Sequence, residues 1–177
     1  MARARASFKL LDRDKGYERI VEELKELGHG GAFVKVGLMG ELKDSHQGEE
    51  FTSVDIGLVH EFGSPAAGIP ERSWLRSACD KYQDDWNALR LRLVRLVYDG
   101  KLDIETALGL MGERAAADVK AHITDGPEIP PPNAPSVLER KQAKGTAGGD
   151  VRTLVDSGRF VGDITYQVVM GEGGGHE

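Results

Sequence analysis

The chain has one cysteine, Cys79, so no disulfide can close within its 177 residues, and synthesis in the cytoplasm fits. It has no apolar run approaching the roughly 20 residues that a membrane-crossing helix needs. Arg3 and Arg5 stand near the first residue, but no apolar core long enough for a signal peptide follows them. Positive charge is in the minority, with 23 Lys and Arg against 29 Asp and Glu and a net charge of −6. Nucleic acid is therefore a poor default partner unless the basic residues are segregated on one face. The familiar catalytic signatures are missing too. His60-Glu61 begins an H-E-x-x-H zinc motif, but the second histidine position is Ser64. There is no G-x-S-x-G. Gly28-His29-Gly30-Gly31 precedes a strand pattern, whereas phosphate-binding glycine loops follow a strand and open a helix.

What is present reads as one α+β domain with its own core. Residues 16–27 place Tyr17, Ile20, Val21, Leu24 and Leu27 at helical spacing, with Asp14 to cap and Gly28 to stop. Residues 32–39 alternate through Val34, Val36 and Leu38, predicting a strand. A polar loop, 40–51, leads to Val54, Ile56, Leu58, His60 and Phe62, which repeat at period two and predict a second strand over 53–62. With no crossover helix between them, the two strands are expected to pair antiparallel as a hairpin.

The long helix, 72–98, has the clearest pattern: Leu75, Ala78, Cys79, Tyr82, Trp86, Leu89, Leu93, Leu96 and Val97 form one apolar stripe. After Gly100, Asp103 caps a second helix through Ile104, Ala107, Leu108, Met111, Ala115, Val119 and Ile123. The short connection predicts an αα-hairpin, expected to lay its long helix across the sheet. Trp74 and Leu75 anchor the start of that helix, Pro70 sets its entry and Trp86 is a second anchor.

From 124 to 150 proline and glycine break the periodicity, and only Pro135 to Lys144 offers a short helix. This segment is expected to be a flexible loop that serves assembly rather than the fold of the monomer. Residues 151–160 suit a short helix. Residues 163–170, with Ile164, Tyr166, Val168 and Met170 alternating, predict a third strand. Residues 1–15 read as an arm and 171–177 as a frayed tail. The expected fold is a small antiparallel sheet packed with a long αα-hairpin, plus a long irregular Pro/Gly-rich loop.

The residues with chemistry to offer do not converge in the sequence. His29, His46, His122 and His176 are scattered. Cys79 lies in the apolar stripe and is expected to be an inert core residue. Asp156-Ser157-Gly158-Arg159 sets a nucleophile beside an acid with no base in view. Arg90, Arg92 and Arg95 share their helix with Asp80, Asp84 and Asp85, which suggests a solvated or interface face. A metal-dependent hydrolase built on His60 and Glu61 is one alternative reading, and a host-derived protein-interaction module is another.

Four motifs occur in fixed order: His60-Glu61-Phe62-Gly63; Ile69-Pro70-Glu71-Arg72-Ser73-Trp74-Leu75-Arg76; Pro132-Asn133-Ala134-Pro135 continuing to Arg140-Lys141; and Leu154-Val155-Asp156-Ser157-Gly158-Arg159-Phe160 leading to Ile164-Thr165-Tyr166. In this order, over residues 32–170, the chain resembles the virion morphogenesis proteins of tailed bacteriophages, the neck and tail-completion or head–tail joining proteins. The resemblance implies a non-enzymatic structural protein of the virion, assembled in the bacterial cytoplasm, without a cofactor and without a membrane. It implies self-association in a ring, a hexamer favoured over a dodecamer, against neighbouring neck, portal-side or tail-tube proteins. Genomic DNA would pass through the lumen without specific binding. The motif residues named above would be structural and assembly residues, His60 and Glu61 included.

Overall fold

The computed structural model describes residues 31–39, 52–143, 153–154 and 158–171. The expected helix over 16–27, the arm 1–15, the whole of the 40–51 loop and most of the tail lie outside the described residues.

Two strands form the sheet. β1, Phe33–Leu38, pairs antiparallel with β2, Ile164–Val169, in a register that sets Phe33 opposite Val169 and Leu38 opposite Ile164. Sheet and helices together make the α+β class. The middle strand expected over 53–62 is a helix, α1, Ser53–Phe62. The period-two pattern misled because a stronger local signal opposes it. Thr52 and Asp55 form a capping box: Asp55 N–H donates to Thr52 Oγ1 at 3.2 Å, and Thr52 N–H donates to Asp55 Oδ2 at 2.9 Å. The residues that α1 buries are Gly57 and Glu61, one turn apart. Ile56 and Leu58 of the apparent strand face remain more than a third exposed, and Phe62 is 63% exposed. β1 therefore pairs with β2 directly, without a hairpin to 53–62.

Two long helices follow: α2, Trp74–Tyr98, and α3, Ile104–Thr124, which packs along it. Asp103 caps α3 through Thr106 N–H at 2.7 Å. The helix that lies on the sheet is α3, not the longer α2 as expected. Small residues decide this. α3 buries Ala107, Gly112, Ala115, Ala116 and Val119, so its backbone approaches the strands closely. A Cβ on Gly112 would fall 2.5 Å from the Tyr166 ring and 2.7 Å from a Val34 methyl.

The core gathers Trp74, Ala78, Val119, Ile123, Ile129 and Ile164, with Leu75, Tyr82, Trp86 and Phe160 partly buried against it. Along α2 the inward stripe runs Ala78, Tyr82, Trp86, Leu89 and Leu93. Cys79 stands one residue, about 100° of helix turn, away from that stripe. It is exposed, not the core residue expected.

Ile129 also departs from expectation. It lies in the segment expected to be dispensable to the monomer, yet it is buried in the core, and Thr153 Oγ1 donates to its carbonyl at 3.1 Å. The same segment carries α4, Pro135–Ala143, where the sequence allowed a short helix. A last turn, α5, Arg159–Gly162, leads into β2. No helix among the described residues is long and apolar enough to cross a membrane.

Candidate functional site: the corner between the first two helices and its cleft

α1 ends at Phe62, and the chain must reverse to start α2 at Trp74. Gly63 makes the exit, with φ at +73°, and a Cβ there would sit 2.8 Å from the Glu71 backbone nitrogen. Ser64 and Ile69 then pair across a tight 3₁₀ turn: Ser64 N–H donates to Ile69 O at 2.8 Å, and Ile69 N–H to Ser64 O at 3.0 Å. Arg72 N–H returns to His60 O at 2.6 Å and ties the far side of the corner to α1.

The carboxylate of Glu61 is spent on the start of α2. A helix begins with backbone N–H groups that lack an intrahelical acceptor and carry partial positive charge. Glu61 accepts from Leu75 N–H at 2.9 Å, Arg76 N–H at 3.2 Å and the Ser73 hydroxyl at 2.9 Å. Arg76 closes the arrangement, donating Nε to Glu61 Oε1 at 2.9 Å and Nη2 to Glu61 O at 3.1 Å and to Glu71 at 2.5 Å. Its guanidinium lies 5.5 Å from the Phe62 ring centroid. Burial pushes the Glu61 carboxyl up, but the hydrogen bonds from Leu75, Arg76 and Ser73 outweigh it and hold the group below its ordinary range. Trp74 Nε1 donates to Gly57 O at 3.0 Å and pins the other side of the helix start to α1.

Arg72 turns the other way. It is 7% exposed, and donates Nε to Pro131 O at 2.9 Å and Nη2 to Pro132 O at 3.2 Å. These bonds fasten the proline segment to the corner and form one wall of a cleft of about 960 Å³. His60, Ile69, Pro70 and Arg72 line it from the corner, and Asn133, Arg140 and Lys141 from the third motif. Leu154 and Gly158 line it from the fourth motif. Residues up to 98 positions apart, from His60 to Gly158, thus meet at one place. Asp156 and Ser157 lie outside the described residues. Of the other motif residues, Pro135 opens α4, and Glu61, Phe62, Gly63, Trp74, Leu75 and Arg76 build the corner behind the cleft. Arg159 and Phe160, which end the fourth motif, also line it.

The chemistry on offer is limited. His60 is kept neutral by burial and by the Arg72 charge, and its Nδ1 has no hydrogen-bond partner among the described residues. The described residues contain no group of three His, Cys, Asp or Glu side chains able to hold a metal ion. Among the described residues there is one serine–histidine contact, Ser77 Oγ to His122 Nε2 at 2.8 Å. Ser77 donates its own proton to Ser73 O, so His122 must donate to it, and His122 Nδ1 has no partner to orient the ring. Partial burial, Asp80 and Glu61 push the Cys79 thiol up, away from the thiolate a nucleophile needs.

No family model, curated protein or solved structure matches this chain.

Proposed function

We propose that this chain is a structural protein of a tailed-bacteriophage virion, forming a ring in the neck that completes the tail or joins it to the head. The observation that carries the reading is the convergence of the motifs. The features that gave the chain its resemblance to neck and tail-completion proteins are spread over about a hundred residues. Their described residues, apart from Ile164 to Tyr166 in β2, meet in one corner and one cleft, where three charged side chains hold backbone groups. Glu61 holds a helix start, Arg72 holds a proline segment, and Arg76 locks the carboxylate in place. That division of labour suits a rigid joint in a subunit better than a reacting centre. In the ring, a hexamer or less favourably a dodecamer, each subunit would use two different patches, since head-to-tail contacts are what close a cycle. Neighbouring neck, portal-side or tail-tube proteins would stack above and below it, and the genome would pass through the lumen.

The test is genetic. Removing the gene from the phage that encodes the protein should leave filled heads and separate tails in the lysate, visible by negative-stain electron microscopy. Supplying the protein in trans should restore joined particles. Joined, infectious particles without it would overturn the reading.

A further inference from the structure

We propose that the cleft is a socket for an extended acidic segment of a partner protein, which seats a carboxylate against Arg72. The inference does not depend on the partner being a virion protein.

The central observation is a buried cation without a counter-ion among the described residues. Arg72 is 93% buried, and its hydrogen bonds go to two neutral carbonyls. The two acids nearest to it in sequence, Glu61 and Glu71, are both engaged by Arg76. Among the described residues no carboxylate pairs with Arg72, and its Nη1 makes no hydrogen bond. Buried charges are ordinarily paired, because an isolated one loses its hydration with nothing in exchange. A guanidinium left with free donors at the wall of a cleft is shaped for a carboxylate from outside.

The surroundings have the same sign. Arg140, Lys141 and Arg159 also line the cleft, Arg159 paired with Asp163 at 3.8 Å, and none of the described lining residues is Asp or Glu. Acids outnumber bases in the chain as a whole, so this is a segregation of charge rather than a reflection of composition. Apolar walls around clustered charge focus its field outward and draw in anions.

The apolar part of the lining selects among anions. Ile56, Ile69, Val137 and Leu154 line the same cleft, as do Pro70, Pro131 and Pro132. A nucleic-acid strand is bound by a track of exposed cations together with aromatic faces for its bases. Here Phe160, the one Phe, Tyr or Trp among the described lining residues, is packed edge-on against Trp74 with ring centroids 5.2 Å apart. An extended peptide in which acidic and aliphatic side chains alternate offers both the carboxylates and the apolar contacts, and a cleft of this size accepts a few residues of it.

The experiment is fluorescence anisotropy on the full chain, with a labelled short peptide in which glutamate alternates with leucine. The comparison probes are the same peptide with lysine for glutamate and a short single-stranded DNA. The acidic peptide should bind, weaken with added salt, and bind at least roughly tenfold tighter than the lysine peptide. Arg140→Glu, on the exposed rim, should weaken it by roughly tenfold or more with an unchanged thermal midpoint. Arg72→Gln should abolish binding; because Arg72 also holds the proline segment, the rim variant separates binding from folding. Failure of the acidic peptide to bind, or equal binding by Arg140→Glu, overturns the proposal. Tighter binding of the DNA overturns it in favour of a phosphate site.

Discussion

Replacing Trp74 with alanine should cost about 3–5 kcal/mol of folding stability, the range found when a large aromatic is removed from a core. Trp74 is 3% exposed and stands where α1, α2 and α5 meet. Its indole ring packs edge-on against Phe160, and its Nε1 reaches the Gly57 carbonyl. The Cβ that Gly57 lacks would lie 3.4 Å from the same indole. Alanine would remove the ring, the hydrogen bond and the aromatic pair at once, and the cavity could not be filled from the sheet, whose Ile164 is already packed there. Trp74→Phe should keep most of the packing and lose about 0.5–1.5 kcal/mol for the hydrogen bond, plus a smaller packing term. Urea unfolding of the three proteins makes the comparison. A loss under about 1 kcal/mol for Trp74→Ala, the level of an ordinary surface change, would mean that the helix start is not anchored as described.

The second large effect is at Glu61. Glu61→Ala should cost about 2–4 kcal/mol, more than the usual loss of a helix cap, because a charged acceptor of several hydrogen bonds goes with it. It should also change the pH dependence. The folded carboxyl titrates below its ordinary value of 4.5, so its contribution is complete above that pH and is lost as pH falls through the folded value. His60 and His122 act in a higher window. Burial holds both below the ordinary value of 6.5, helped by Arg72 for His60 and Lys81 for His122. As pH drops below 6.5 the unfolded chain takes up those protons first, and stability falls. The thermal midpoint of the native protein should therefore be level above neutrality and descend in two stages on acidification. Glu61→Gln should keep the first stage and lose most of the second. An unaltered acid limb in Glu61→Gln would show that the carboxylate is not the group being titrated.

The parts of this fold that the sequence disclosed are those governed by one local period. The two long helices carry stripes of three and four over more than twenty residues, and Asp103 marks the start of α3. β1 and β2 alternate over six residues each and lie within the spans expected for them. Where two local signals compete, the reading failed. Over 53–62 β-branched and aliphatic residues alternate, but the Thr52–Asp55 box starts a helix whose buried positions are a glycine and a glutamate, neither of which registers as hydrophobic. Cys79 failed for a related reason: the pattern admitted both Ala78 and Cys79 to the stripe, but one residue along a helix turns a side chain out of it, and Ala78 holds the inward place. Which helix covers the sheet depends on Gly112 and the alanines of α3, and close approach by small residues leaves little trace in a hydrophobic pattern.

The site divides in the same way. That His60 to Gly63 and Ile69 to Arg76 belong to one corner was legible from their closeness in the chain. That Glu61 would cap α2 was not, because the capping residue comes from the preceding helix instead of the position before the helix. Nor does any local pattern report that Arg72 would meet Pro131 and Pro132 some sixty residues away, or that Ile129, in a proline-rich stretch, would complete the core. Long-range contacts of that kind are set by the packing of the whole chain.

The central claim, that this chain works as a ring-forming subunit, is tested most directly by the mass of the purified full-length protein in solution, measured by native mass spectrometry over a range of concentrations. The account predicts a closed assembly of discrete size, with a mass about six times the 19.2 kDa of one chain or, for the competing ring, about twelve times. A protein that remains at the mass of a single chain at every concentration would contradict it.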